Sequence, residues 1–370
     1  MKVGDLMIDD MTQMLDLGMF SEFEKTIMQE NKIEFSKAIG KMLKASRSAA
    51  KLTKCYYCDN EITSFCNSHS VPAFCLKNIS VDGKLGTLNS LIEFPLVDND
   101  KGVKQAGTFQ LICRDCDSKI FSDYENPENY DKVPTSKMIA QIALKNNLKF
   151  ISKRLIETEM YNYMSQNQNF PEHLKMAKQY VTDLDLKEYI DGFKKAKRAI
   201  EKGWDDQYYL CYYKKLDYVV PIAFQSCISL TVGFDGEIIN DVYNPSPKYV
   251  IKPIHICILP LENESVIMMF VDNGDTRYRK FYKTFNSLEL EEQLLTLVYI
   301  MFAYSEEVYF SPNIHKKAKE SSALINTSQL GQDIVSLTPK FNPLEMLKKN
   351  FDLLQRKRIP NFLQQEYKIR

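Results

Sequence analysis

Two pairs of cysteines, Cys55-Tyr56-Tyr57-Cys58 and Cys113-Arg114-Asp115-Cys116, carry the sharpest chemical signal in the chain. A two-residue gap lets both sulfurs of one turn face a single ion, and zinc prefers four thiolate or imidazole ligands in a tetrahedron. Four thiolates close that shell, so the spacing predicts a structural Zn2+ held by Cys55, Cys58, Cys113 and Cys116. The intervening 54 residues are more than the roughly 12–20 usual for such sites. Cys66 and Cys75 lie between the pairs and read as small core residues rather than further ligands. His69 follows Cys58 by 11 residues, in a Ser-His-Ser context and in a segment with no other histidine. It is the candidate proton acceptor for a hydrolytic reaction. His173, His255 and His315 have no comparable surroundings. His255 sits in an alternating run, with Ile254, Ile256 and Ile258 on the opposite face.

Charge is the second signal. From Lys137 to Arg154 there are five basic residues and no acid. Lys145, Lys149 and Lys153 are spaced by four and would form one stripe on a helix. Such a stripe could grip phosphates. An ordinary solvated helix face would show the same pattern.

The stretch Leu111-Ile112-Cys113-Arg114-Asp115-Cys116-Asp117-Ser118-Lys119 resembles the closing segment of zinc-knuckle HNH (His-Me finger) endonucleases. In that family the second cysteine pair is followed at once by a histidine and, three residues later, often by a lysine. Phe65-Cys66-Asn67-Ser68-His69-Ser70-Val71-Pro72 is similar to the family's first strand, and Asp82-Gly83 lies where the ββα finger needs a turn. The resemblance covers residues 52–130. It implies metal-assisted phosphodiester cleavage of DNA or RNA, with one Mg2+ or Mn2+ stabilising the phosphate and leaving oxygen. It makes His69 the general base, Asp117 the stand-in for the last histidine as ligand of that ion, and Lys119 a contact to nucleic acid. Ser68 stands where the family carries an acidic or histidine ligand, and serine is a poor one. The family's middle asparagine has three candidates, Asn78, Thr108 and Gln110, and Glu125 would complete the site from the following helix. A nuclease-like module joined to an unfamiliar domain suggests defence against foreign nucleic acid, by analogy only. The competing expectation is a zinc-stabilised, non-catalytic module that binds nucleic acid or protein.

The elements that must position these residues can be read from pattern. Residues 5–54 have helical periodicity and end in Lys41, Lys44, Arg47, Lys51 and Lys54, cations well placed near a helix C-terminus. Residues 55–134 form a loop-rich module. Pro134-Thr135-Ser136 opens a helical spacer to residue 203, with Leu144, Leu148, Ile151 and Leu155 on one face and a second helix from Pro171 to Ala199. Residues 204–370 read as antiparallel strands at 208–220, 228–234, 249–259 and 265–271, a helix over 287–304 and a last helix over 343–357. The expected class is therefore α+β: a zinc-bound ββα finger flanked by helices, then an antiparallel sheet packed with helices.

Composition limits the alternatives. Lys+Arg and Asp+Glu are equal at 48 each, so no global charge points to nucleic acid, and any basic footprint is local. The first ten residues lack an apolar signal segment and no run is long enough to span a bilayer, which predicts a cytoplasmic protein with no membrane partner. A zinc deaminase needs His-x-Glu before Pro-Cys-x-x-Cys, a P-loop enzyme needs Gly-x4-Gly-Lys-Ser/Thr, and a serine hydrolase needs Gly-x-Ser-x-Gly. None is present. The apolar 287–304 segment exceeds what one sheet can cover and hints at a protein partner or a second copy.

Overall fold

The computed structural model describes residues 32–88, 102–166, 185–333 (except 245 and 247) and 343–370, with isolated positions between 167 and 184. The first part of the expected 5–54 helix, and most of residues 171–184 of the expected Pro171–Ala199 helix, lie outside the described residues. No helix among those described is long and apolar enough to cross a membrane.

The centre of the molecule is a six-stranded sheet, antiparallel at every pairing. Its members are β2 (Gly86–Thr87), β4 (Tyr208–Leu216), β5 (Ile222–Ile228), β6 (Ile254–Pro260), β7 (Ser265–Asp272) and β8 (Tyr309–Phe310), in the order β2-β8-β5-β6-β7-β4. Alternate residues point to opposite faces of a strand, and here both faces are covered. Ile254, Ile256 and Ile258 of β6, with Ile267, Met269 and Val271 of β7, belong to one apolar cluster. Cys257 and Leu259 of β6, with Val266, Met268 and Phe270 of β7, belong to the other.

On the first face lie helices α6 (Arg279–Ser287) and α7 (Leu290–Tyr304) and the C-terminal segments. Helix α7 has ten buried residues between Gln293 and Ala303. A helix apolar all round must be covered all round. Here α9 (Ser322–Asp333) and the turn of 3-10 helix at Leu353–Arg358 supply the cover, so the apolar surplus is absorbed by this chain. The expected single helix over 287–304 is two helices. The chain breaks at Leu288 and Glu289, both extended, and Ser287 bonds back to the Thr284 carbonyl instead of opening α7.

The second face carries everything with candidate chemistry. Helix α4 (Ser136–Met164) starts at Thr135, whose hydroxyl accepts from the Met138 N–H at 3.3 Å, as its sequence leads one to expect. Its Leu144, Leu148 and Ile151 are fully buried. Helix α5 (Leu186–Lys202) packs along α4 and stops at Gly203, whose φ of 64° is left-handed. Helix α1 (Lys32–Ala49) also packs on α4. Apolar residues of the cysteine-bearing segment, of α4, of α5 and of the sheet make one continuous cluster.

Two strand expectations change. The run 228–234 is not a strand. The strand is Ile222–Ile228, buried at every position, and a strand covered on both faces shows no alternation to read. Asp82-Gly83 does form a tight turn, with φ of 53° and 71°, but it closes the small Val81–Lys84 bridge. A separate two-stranded pair, β1 (Ser68–His69) and β3 (Thr108–Phe109), is joined by a much longer excursion that contains α2 (Ala73–Ile79).

Candidate metal centre and the ion-pair site beside it

The four sulfurs of Cys55, Cys58, Cys113 and Cys116 lie within 4.8 Å of one another. Sulfurs at about 2.3 Å from a tetrahedral zinc stand about 3.8 Å apart, so the donor set fits Zn2+. The first pair sits in a turn and the second straddles the start of helix α3 (Arg114–Ile120), where Cys113 is the N-cap. Backbone amides already point at sulfur: Cys113 N–H donates to Cys55 Sγ at 3.3 Å and Cys116 N–H to Cys113 Sγ at 3.4 Å. Burial pushes the Cys55 thiol up, but amides of Cys58, Cys113 and Tyr57 outweigh it and hold the pKa at about 7. A thiol poised near neutrality loses its proton readily to a metal. Among the described residues this is the only group of three or more such ligand side chains close enough to hold an ion. Cys75 is instead fully buried in the core. Tyr56 and Tyr57 pack edge-on against Phe193 of α5, with ring centres 5.1 and 6.4 Å away.

Beside the cysteines lies a second polar cluster. Strands β1 and β3 pair antiparallel, with His69 opposite Thr108, and α3 follows. This brings Ser68 onto Asp117 of α3: the serine hydroxyl donates to Oδ1 at 2.6 Å, and Cys66 Sγ donates to Oδ2 at 3.4 Å. His69 is half-buried, and its Nε2 lies 3.0 Å from the Val103 carbonyl oxygen. Burial holds the imidazole below its ordinary pKa, the Lys145 ammonium adds to this, and Val103, Glu125 and Asp117 pull the other way. The buried setting therefore favours the uncharged ring.

Lys145 decides the character of this cluster. Its side chain has no exposure at all, and its Nζ stands 2.9 Å from Asp117 Oδ1, 3.0 Å from Glu125 Oε1 and 3.7 Å from the centre of the Phe121 ring. Burial works to raise the Asp117 carboxyl, but Lys145 foremost, then Ser68 and Cys66, bring it below the usual carboxylate range. The geometry gives no support to the resemblance-based role of Asp117 as ligand of a catalytic Mg2+ or Mn2+. Its inward oxygen is already taken by an ammonium, and His69, Asp117 and Glu125 make no ligand group of the kind the cysteines make. The family's middle asparagine finds no counterpart either. Asn78 donates to the Pro260 carbonyl on β6, Gln110 donates to Asn67, and Thr108 bonds back to the Gln105 carbonyl.

The phosphate stripe on α4 is corrected by burial. Lys145 is inside the molecule. Lys149 is 12% exposed and pairs with Glu307 at 3.2 Å. Lys153 pairs with Glu306 at 3.1 Å and Glu307 at 3.5 Å. The stripe faces an acidic segment just before β8 instead of solvent. Lys119 is exposed on the last turn of α3. A signal for Lys145 did exist: three residues to either side stand Ile142 and Leu148, both on the core face.

An exposed basic face does occur, on α5. Lys194, Arg198 and Lys202 recur every four residues and all three are exposed, with Lys194 lying only 4.0 Å from its nearest acid, Asp191. Gly203 turns the chain so that Trp204 lies back beside Arg198, 5.8 Å from its guanidinium, with the indole residue 44% exposed. Asp205 and Asp206 bound this face at its far end.

No family model matches the chain, and neither a curated protein nor a solved structure proved similar to it.

Proposed function

We propose that the chain is a zinc-stapled nucleic-acid-binding protein that does not itself cut. The observation that carries this reading is the Lys145 ammonium lodged between Asp117 and Glu125, where the HNH resemblance would call for a metal. Zinc would serve as a staple, holding the turn at Cys55–Cys58 to the start of α3. The surface best suited to nucleic acid is the α5 face. Its three cations are roughly 6 Å apart along the helix and Trp204 offers a ring on which a base can stack, a contact worth about 1–3 kcal/mol.

Trp204 is the sole tryptophan, so its fluorescence reports on this face alone. Titration with single-stranded DNA and RNA is expected to quench it, the affinity falling as salt rises. Arg198→Ala with Lys202→Ala is expected to weaken binding about tenfold. Incubation with plasmid DNA and total RNA in Mg2+ or Mn2+ is expected to leave both intact.

A second reading, an HNH-like endonuclease with a defensive role, is favoured by one observation. The order β1, β3, α3 brings the strand that carries His69 onto Asp117, through the Ser68 hydroxyl. Cleavage by the wild type, lost in His69→Ala with zinc retained, would overturn the first reading and establish this one.

A further inference from the structure

The mismatch between the ion-pair site and a divalent metal leads to a specific assignment. We propose that Lys145 is the built-in cation of this site. Its ammonium holds Asp117 and Glu125 in place of a divalent ion, and so closes to metal a site that would otherwise bind Mg2+ or Mn2+. The proposal deepens the non-catalytic reading above and rests on it.

Three features support it. The first is charge balance. Asp117 and Glu125 set two carboxylates against the one ammonium of Lys145. Two carboxylates drawn together at a partly buried site are stabilised by a cation between them, and no other cation is paired with either of these carboxylates among the described residues. The second is enclosure. Lys145 has zero exposure, and the Phe121 ring face closes one side of the ammonium at 3.7 Å. Its position is therefore set by α4 and not by a side chain free to swing away. The third is ligand chemistry. Two carboxylates and the Ser68 hydroxyl on Asp117 Oδ1 are oxygen donors, the type that suits Mg2+ and Mn2+. Asp117 and Glu125 remain 17% and 32% exposed, so an ion could reach them from solvent.

The test is Mn2+ binding to the zinc-loaded, full-length chain, read by electron paramagnetic resonance, in wild type and in Lys145→Ala. Wild type is expected to show no distinct Mn2+ site. Lys145→Ala is expected to take up one Mn2+ at least about tenfold more tightly than wild type, and Lys145→Ala with Asp117→Asn is expected to lose it. If Lys145→Ala is unstable alone, Mn2+ is expected to restore its folding. Three results would overturn the proposal: wild type binding Mn2+ as tightly as the variant, a folded variant that binds no better than wild type, or an unfolded variant that Mn2+ does not rescue. Nucleic-acid binding by the Trp204 face is read separately, so loss of one result leaves the other standing.

Discussion

At the residue scale, a buried histidine shows how environment overrides type. His255 is 4% exposed, stacks on Phe270 at 4.5 Å, and has Nδ1 3.0 Å from the Asn146 amide nitrogen. Gln225 donates to the Asn146 oxygen at 3.2 Å, which leaves the Asn146 nitrogen as donor and the histidine Nδ1 as acceptor. The ring is thus neutral, with its proton on Nε2. Burial pushes its pKa down to about 3, with Asp272 opposing weakly. The unfolded chain titrates near 6.5 and the folded chain near 3, so the unfolded state gains a proton first as pH falls. Stability is intact above pH 6.5 and lost progressively below it. Between pH 7 and pH 5 this group alone should cost about 2 kcal/mol. Denaturant unfolding across that range should show the slope in wild type and a slope shallower by that amount in His255→Phe. Equal slopes would mean that His255 is not neutral inside the fold.

At the scale of elements, the α4–α5 crossing depends on one glycine. A Cβ on Gly192 would strike the side-chain amide of Asn147, including its Cγ at 2.9 Å. Asn147 cannot yield freely, because its nitrogen donates to the Ala143 carbonyl at 2.7 Å within α4. Gly192→Ala gains about 1 kcal/mol of helix propensity and loses about 1–3 kcal/mol to overpacking. The net expectation is a loss of about 1 kcal/mol, measured as a lower unfolding midpoint at unchanged m-value. A gain in stability would show that the helices can separate at little cost. The same crossing carries the α5 face, so the substitution is also expected to weaken quenching of Trp204 by nucleic acid.

At the scale of the molecule, the cysteine-bearing segment and the sheet share one apolar cluster, running from Cys55 and Phe121 to Cys257 and Phe270. Zinc removal should therefore be felt beyond the four sulfurs. One zinc per chain is expected by metal analysis, and Cys113→Ser should lose it. Chelation should lower the melting temperature of the whole unit and expose the sheet's second face to a hydrophobic dye, because binding energy of a structural zinc is folding energy. An unchanged melting temperature after complete zinc removal would mean the segment is held by packing alone.

The sequence alone determined what depends on local spacing. Two Cys-x2-Cys turns were enough to name the four sulfurs that converge, because a turn fixes its own two ligands and a tetrahedral ion needs four. Thr135 as a helix start, Gly203 as a helix stop and the mixture of helices with antiparallel strands were legible for the same reason: caps and periodicity act within a few residues. The tertiary structure decided what depends on which face a residue turns to a distant neighbour. Lys149 and Lys153 read the same whether solvent or Glu306 and Glu307 lie opposite, and only Lys145, flanked by Ile142 and Leu148, carried a local sign of burial. Strand β5, buried on both sides, has no alternation to betray it. Asp117 carries the same carboxylate either way. Only the fold, which seats α4 so that Lys145 reaches it, put an ammonium on it, because a buried charge takes the nearest counter-charge that the fold supplies.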